Sequence, residues 1–167
     1  MPAIAPRWMF LAVFLVCAGL LGYGLYLQHA QNQEPCPLCI LQRYAFIAVG
    51  LIALVAAAHG PRRAGQVSYG LLITLAAGTG AGVAARQTWL QHNPPNVLDC
   101  GPDLYYMLDA FPLSQVLPKI FKGEGDCAKV TWTFLGLSIA EWALIWFALF
   151  VLTGLYLMIV RRPRAGA

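Results

Sequence analysis

Cys36 and Cys39 stand three residues apart in Pro35-Cys36-Pro37-Leu38-Cys39-Ile40-Leu41-Gln42-Arg43, a spacing suited to thiol–disulfide exchange. Such exchange needs a thiolate, access to it and a sink for electrons. The two prolines cannot extend a helix from the left but fit its first turn, so Cys39 is expected at a helix start. There the unpaired backbone N–H groups and the positive end of the helix dipole favour an anion and lower a thiol from its ordinary pKa of about 8.5. Arg43, four residues on and on the same face, is expected to reach back toward the Cys39 sulfur and lower it further. Cys100 and Cys127 lie far downstream, and Cys17 stands within an apolar run.

The elements that must position these cysteines are set by composition. Of 167 residues, 59% are hydrophobic and only 11% charged, roughly half the charge of an ordinary soluble domain. Four apolar runs, about residues 8–27, 40–58, 67–85 and 139–160, each approach the ~20 residues a helix needs to cross a bilayer. The expected fold is an all-α integral membrane protein, a single domain built as a four-helix transmembrane bundle. Four crossings put both termini on one side.

The net charge of +4 gives orientation rather than a nucleic-acid partner, and no nucleotide loop, nucleic-acid motif or repeat is present. Arg7 precedes the first run, Arg62 and Arg63 join the second to the third, and Arg161, Arg162 and Arg164 follow the fourth. By the positive-inside rule these regions, and hence both termini, are cytoplasmic. The connections at about 28–38 and 86–138 then face outward. They hold Glu34, Asp99, Asp103, Asp109, Glu124 and Asp126, which is every acid except Glu141, together with Cys36, Cys39, Cys100 and Cys127. Cysteines gathered on an oxidising face suggest disulfides. Cys17 reads as a small buried hydrophobe.

Along the chain, the first run continues to Leu27, too long for a typical signal-peptide core, and reads as an uncleaved anchor. Gly19, Gly22 and Gly24 in the first run and Gly78-x-x-x-Gly82 in the third suggest close helix packing. His59, in the short turn before Arg62, reads as a polar interfacial residue. Arg86, Trp89 and His92 follow the third run, where an Arg can snorkel and a Trp can anchor among lipid headgroups, or where they can contact a cofactor. The long outer connection carries Leu113, Val116, Leu117, Ile120 and Phe121 in helical phase, with Lys119 and Lys122 beside them. A short amphipathic helix on the lipid surface is expected there.

Three chemistries compete for the four outer cysteines. A zinc site would use soft sulfur ligands, but Cys100 and Cys127 do not form a second compact knuckle and an exported segment favours oxidation, so no metal is assigned. Two inert disulfides would staple the long loop, worth about 3 kcal/mol or more, yet closing the small Cys36/Cys39 ring stabilises little. An electron relay remains, in which a loop disulfide takes electrons from a soluble partner and hands them to the membrane pair. Beside an apolar bundle the fitting sink is lipid-soluble. A quinone suits it, with Arg43 as the cation that polarises a carbonyl.

The motif Cys36-Pro-Leu-Cys39-Ile-Leu-Gln-Arg43 after one span, then Cys100, then Gly125-Asp126-Cys127-Ala128 and Trp132-Thr-Phe134-Leu135-Gly136 before the fourth span, closely resembles the disulfide bond formation protein B (DsbB) family. The resemblance covers nearly the whole chain. It implies a bacterial inner-membrane enzyme that reoxidises a DsbA-like thioredoxin-fold dithiol oxidase and reduces a membrane quinone, ubiquinone or menaquinone, with its cysteine loops in the periplasm. It implies that Cys36 and Cys39 form the quinone-coupled disulfide, with Cys39 facing the quinone and Arg43 aiding its binding and reduction. It further implies that Cys100 forms the mixed disulfide with the partner and that Cys127 exchanges with Cys36. His92 and Arg86 resemble quinone-vicinity positions. Pro37 and Gln42 fall at variable positions of the motif and carry no role in this reading.

Cys100 follows Asp99 and Cys127 follows Asp126, whereas Cys39 has a helix start and Arg43. Anionic neighbours disfavour thiolate and cationic ones favour it, so the loop pair is expected to be the more reducing and electron flow toward the membrane pair downhill. The alternative to this enzyme is a non-catalytic membrane scaffold with structural disulfides.

Overall fold

The computed structural model describes residues 6–30, 36–93 and 132–159. Four helices dominate it: α1 (Pro6–Ala30), α2 (Pro37–His59), α3 (Arg63–His92) and α4 (Ile139–Ile159), each long and apolar enough to cross a membrane. This is the four-helix membrane architecture that the apolar runs imply. Lipid offers backbone groups no partners, so an apolar segment must satisfy them internally as helix. Cys100, Cys127 and the expected amphipathic helix lie outside the described residues.

The helices outrun the apolar runs. At about 1.5 Å per residue, α1 and α3 reach roughly 37 and 45 Å, beyond the ~30 Å hydrocarbon core. No Gly or Pro interrupts Gln28–Ala30, or the stretch from Arg86 until Pro94, so helix continues through both. Gln28, Arg86, Trp89 and His92 therefore stand on helices rather than in loops.

Helix ends are closed locally. Gly60 takes the left-handed conformation (φ 56°) that lets its N–H bond Ala56 O at 3.1 Å and stop α2. Before α4, Thr133–Phe134 (β1) and Leu137–Ser138 (β2) pair antiparallel, Thr133 opposite Ser138. The intervening Leu135 and Gly136 both have positive φ, 53° and 81°, as a two-residue hairpin loop of the right twist requires. Ser138 and Glu141 then form a capping box. The Ser138 N–H donates to Glu141 Oε2 at 2.7 Å and the Glu141 N–H to Ser138 Oγ at 3.3 Å.

The bundle packs α2 against both α1 and α3, and α3 against α4. On α3 the buried residues Gln66, Gly70, Ile73, Ala77, Gly80, Ala84 and Gln87 recur at alternating steps of four and three, the seam of a bundle helix. Small members let α4 come close. A Cβ on Gly70 would sit 2.9 Å from Gly154 O, and one on Gly80 would sit 2.5 Å from the Phe147 ring. Phe147 in turn stacks on Phe46 of α2 with centroids 4.1 Å apart. Among the described residues the Gly78/Gly82 spacing mediates no packing. Neither glycine has a neighbour within 4 Å among the described residues, because both fall off the seam. Gly19 and Gly22 face open space likewise, and close approach of α1 occurs where Cys17, 1% exposed, sits 3.2 Å from the position of a Cβ on Gly50.

At the end of the bundle away from Cys36, α3 closes the end of α4. Gln66 Nε2 donates to Leu157 O at 2.7 Å, and Arg63 Nη2 to Met158 O at 2.8 Å and Ile159 O at 3.4 Å. Carbonyls in the last turn of a helix look outside it for donors, and buried Gln66 and exposed Arg63 supply them here. At the same end, His59 Nδ1 lies 3.1 Å from the Tyr69 hydroxyl.

Candidate active site

Pro37 occupies the first turn of α2, and Cys36 is its N-cap in extended backbone (φ −65°, ψ 161°). Its sulfur accepts the Cys39 N–H at 3.4 Å, the task a Ser or Asp oxygen usually performs. The cap thereby brings the Sγ atoms of Cys36 and Cys39 within 2.9 Å of each other. Leu38 between them is wholly buried against Leu90 of α3, with Leu41 and Val83 packed alongside. That anchor fixes the helix start on α3 and leaves both cysteines half-buried at the bundle's end.

Among the described residues Gln87 meets both sulfurs. Its Nε2 donates to Cys39 Sγ at 3.1 Å and to Cys36 Sγ at 3.4 Å, while its Oε1 accepts from Gln42 Nε2 at 2.7 Å and lies 3.6 Å from Cys39 Sγ. Both glutamines are 3% exposed. Gln42 thus has a partner although its place in the motif gave it none. A signal existed in the sequence: Gln42 lies three residues after Cys39, on the same helix face, and Gln87 falls in phase with the small-residue seam of α3. A polar side chain inside an apolar face must find a polar partner.

Arg43 makes no hydrogen bond to Cys39. Its Nη1 donates to Gln28 Oε1 at 2.6 Å and its Nη2 to Gly24 O at 3.2 Å, so the guanidinium turns to α1. The reason is that α1 extends as helix to Ala30 and presents these acceptors one turn apart, whereas Cys39 is already served by Cys36 and Gln87.

Of the remaining expected site residues, Arg86 is half-buried on α3 beside Gln87. His92 ends α3 with its side chain 65% exposed; its Nδ1–H donates to Thr88 O at 2.9 Å and its Nε2 lies 3.7 Å from Glu141 Oε1. Gln91 accepts from Ser138 Oγ at 2.7 Å, so the end of α3 is tied to the cap of α4. The geometry brings Cys36, Cys39, Gln42 and Gln87 together, and places Arg43 against α1 and His92 against α4.

The geometry sets a dithiol pair at a capped helix start in a four-helix membrane bundle, and comparison with known proteins adds a family. The family described as "Disulfide bond formation protein DsbB" matches residues 6–157. The chain belongs to the DsbB family. Among its relatives, Disulfide bond formation protein B of Aromatoleum aromaticum is 56% identical over 164 residues, covering 98% of both chains. The protein of the same name from Azoarcus sp. strain BH72 is 58% identical over 158 residues, 95% of each. That from Marinobacter nauticus is 51% identical over 156 residues, 93% of each. The protein is accordingly a multi-pass membrane protein of the DsbB family, with an oxidoreductase role in disulfide bond formation.

Proposed function

We propose that this protein reoxidises a DsbA-like periplasmic dithiol oxidase and passes the electrons to a membrane quinone, sustaining disulfide formation in exported proteins. The observation that carries the reading is the Cys36/Cys39 pair, sulfurs 2.9 Å apart, held by a helix cap with a buried amide donor against it. A structural staple has no use for that donor. A pair that must leave a thiolate behind does.

In this scheme a partner thiolate attacks Cys100, the Cys100–Cys127 bond breaks with Cys127 leaving as thiolate, and the mixed disulfide forms. The partner's second thiolate then breaks that bond and leaves as a disulfide, two electrons having entered the loop pair. Cys127 attacks Cys36, the Cys36–Cys39 bond breaks, and Cys39 is left as the thiolate. Cys100 closing on Cys127 frees Cys36 and restores the loop disulfide.

A bound quinone supplies the two-electron, two-proton sink. Arg43 fits such a group: it is a half-buried cation one turn from Cys39, its bonds to Gln28 and Gly24 O hold it in place, and its guanidinium has five N–H donors, more than the two these bonds use among the described residues. Arg86 and His92, on the last turns of α3, are the further residues we assign to the quinone's surroundings. The protein acts as a single membrane domain of the bacterial inner membrane, with both termini cytoplasmic and the cysteine segments periplasmic. The arginines at 7, 62, 63, 161, 162 and 164 support that orientation.

The test mixes purified protein with a reduced thioredoxin-fold dithiol and ubiquinone and follows quinone absorbance. Loss of absorbance that requires the four outer cysteines is expected. No cysteine-dependent loss would overturn the reading and leave a membrane scaffold.

A further inference from the structure

Gln42 and Gln87 are buried amides on different helices, and their orientation is not arbitrary. A carboxamide has one acceptor end and one donor end. Gln42 Nε2 occupies the acceptor end of Gln87 at 2.7 Å, which leaves the Gln87 NH2 to face Cys39 Sγ at 3.1 Å and Cys36 Sγ at 3.4 Å. Were Gln87 alone turned over, two NH2 groups would meet, and its Oε1, already 3.6 Å from Cys39 Sγ, would take the donor's place against both sulfurs. With both glutamines 3% exposed the turned state is disfavoured.

We propose that Gln42 and Gln87 are a positioning pair that sets the redox poise of the Cys36/Cys39 couple, Gln42 fixing the amide so that Gln87 presents a donor to the Cys39 thiolate. The inference deepens the proposed reading of the cysteine pair and rests on it. Reduction adds two electrons and one proton to the Cys36–Cys39 bond, leaving a thiol at Cys36 and a thiolate at Cys39; the electrons come from the loop dithiol. A disulfide sulfur is a poor acceptor, whereas hydrogen bonds to an ionised acceptor are about twice as strong as neutral ones. The Gln87 donor therefore favours the reduced form and makes the couple more oxidising. It does so without a charge of its own, and so without drawing an anion or a proton to the site.

The test uses full-length protein in detergent, without quinone or partner, equilibrated in dithiothreitol redox buffers. The oxidised fraction of the Cys36/Cys39 peptide is read by alkylation and mass spectrometry. Gln87→Met keeps the length of the side chain and removes the amide. It is expected to lower the equilibrium constant for reduction roughly tenfold, about 30 mV. Gln42→Leu, which frees the amide to turn, is expected to lower it several-fold. The double variant is expected to fall no further than Gln87→Met alone, because Gln42 acts only through Gln87. Additive effects, or a Gln87→Met constant within twofold of the parent, would overturn the proposal while leaving a cycling pair intact. A parent pair that forms no reversible disulfide would overturn both this proposal and the functional reading beneath it.

Discussion

The Arg43 guanidinium donates to Gln28 Oε1 at 2.6 Å across the α1–α2 interface, so the cation one turn from Cys39 is steered by the first helix. Gly24 O holds its other arm at 3.2 Å. Arg43→Ala is expected to cut quinone-dependent turnover at least tenfold while a small dithiol still reduces the Cys36/Cys39 bond. Gln28→Leu is expected to raise the quinone concentration needed for half-maximal rate several-fold with a smaller loss of maximal rate. Quinone titrations of the two variants check this, and an unchanged quinone dependence in Arg43→Ala would remove Arg43 from the mechanism.

Cys100→Ser is expected to abolish oxidation of a DsbA-like substrate and to spare quinone binding. Partner oxidation and quinone binding are measured on the same preparation. Full oxidation by the variant would sink the assignment of Cys100.

Gly80→Ala drives a methyl group into the Phe147 ring and Gly154→Ala drives one into Thr74 and Gly70. Each is expected to destabilise the bundle by about 1–3 kcal/mol, the usual range for overpacking. Gly78→Ala and Gly82→Ala, with open space at both positions, are expected to change stability by less than about 0.5 kcal/mol. Denaturant unfolding in mixed micelles compares the four, and equal losses at all of them would contradict the seam.

Leu135 holds φ 53° at the hairpin tip and is 79% exposed, so a branched side chain sits in the left-handed region with little packing to offset it. Leu135→Asn is expected to stabilise the hairpin by up to about 1 kcal/mol, seen as slower amide exchange at Leu137. Faster exchange in the variant would show that the leucine side chain outweighs its backbone cost.

Much of the fold is legible in the sequence because a membrane leaves an apolar chain few options, and four runs of bilayer length have to become four helices. The cysteines are legible because their chemistry lies in their residue type. Gln42 and Gln87 escape such a reading because glutamine near the end of an apolar run looks like the edge of a span, and their meaning depends on which faces of α2 and α3 meet. Gly78 and Gly82 mislead for the opposite reason: their spacing matches a packing motif, yet the phase of Ile73, Ala77, Gly80 and Ala84 decides which face is buried. Arg63 reads as a marker of sidedness, and its bonds to Met158 O and Ile159 O depend on where α4 ends. The hairpin lacks the Asn-Gly pair that would announce it, since leucine occupies the position where asparagine is expected.

The α3 seam also has an order in time. Gln66, Gly70, Gly80 and Gln87 all precede α4 in the chain by some fifty residues or more, so the ribosome has released them before Ile139 is made. The donor that answers Leu157 O and the groove that admits Gly154 and Phe147 are complete while the last helix is still unsynthesised. α4 is thus made after the helix whose seam receives it, and the sequence of that seam is fixed before its occupant exists.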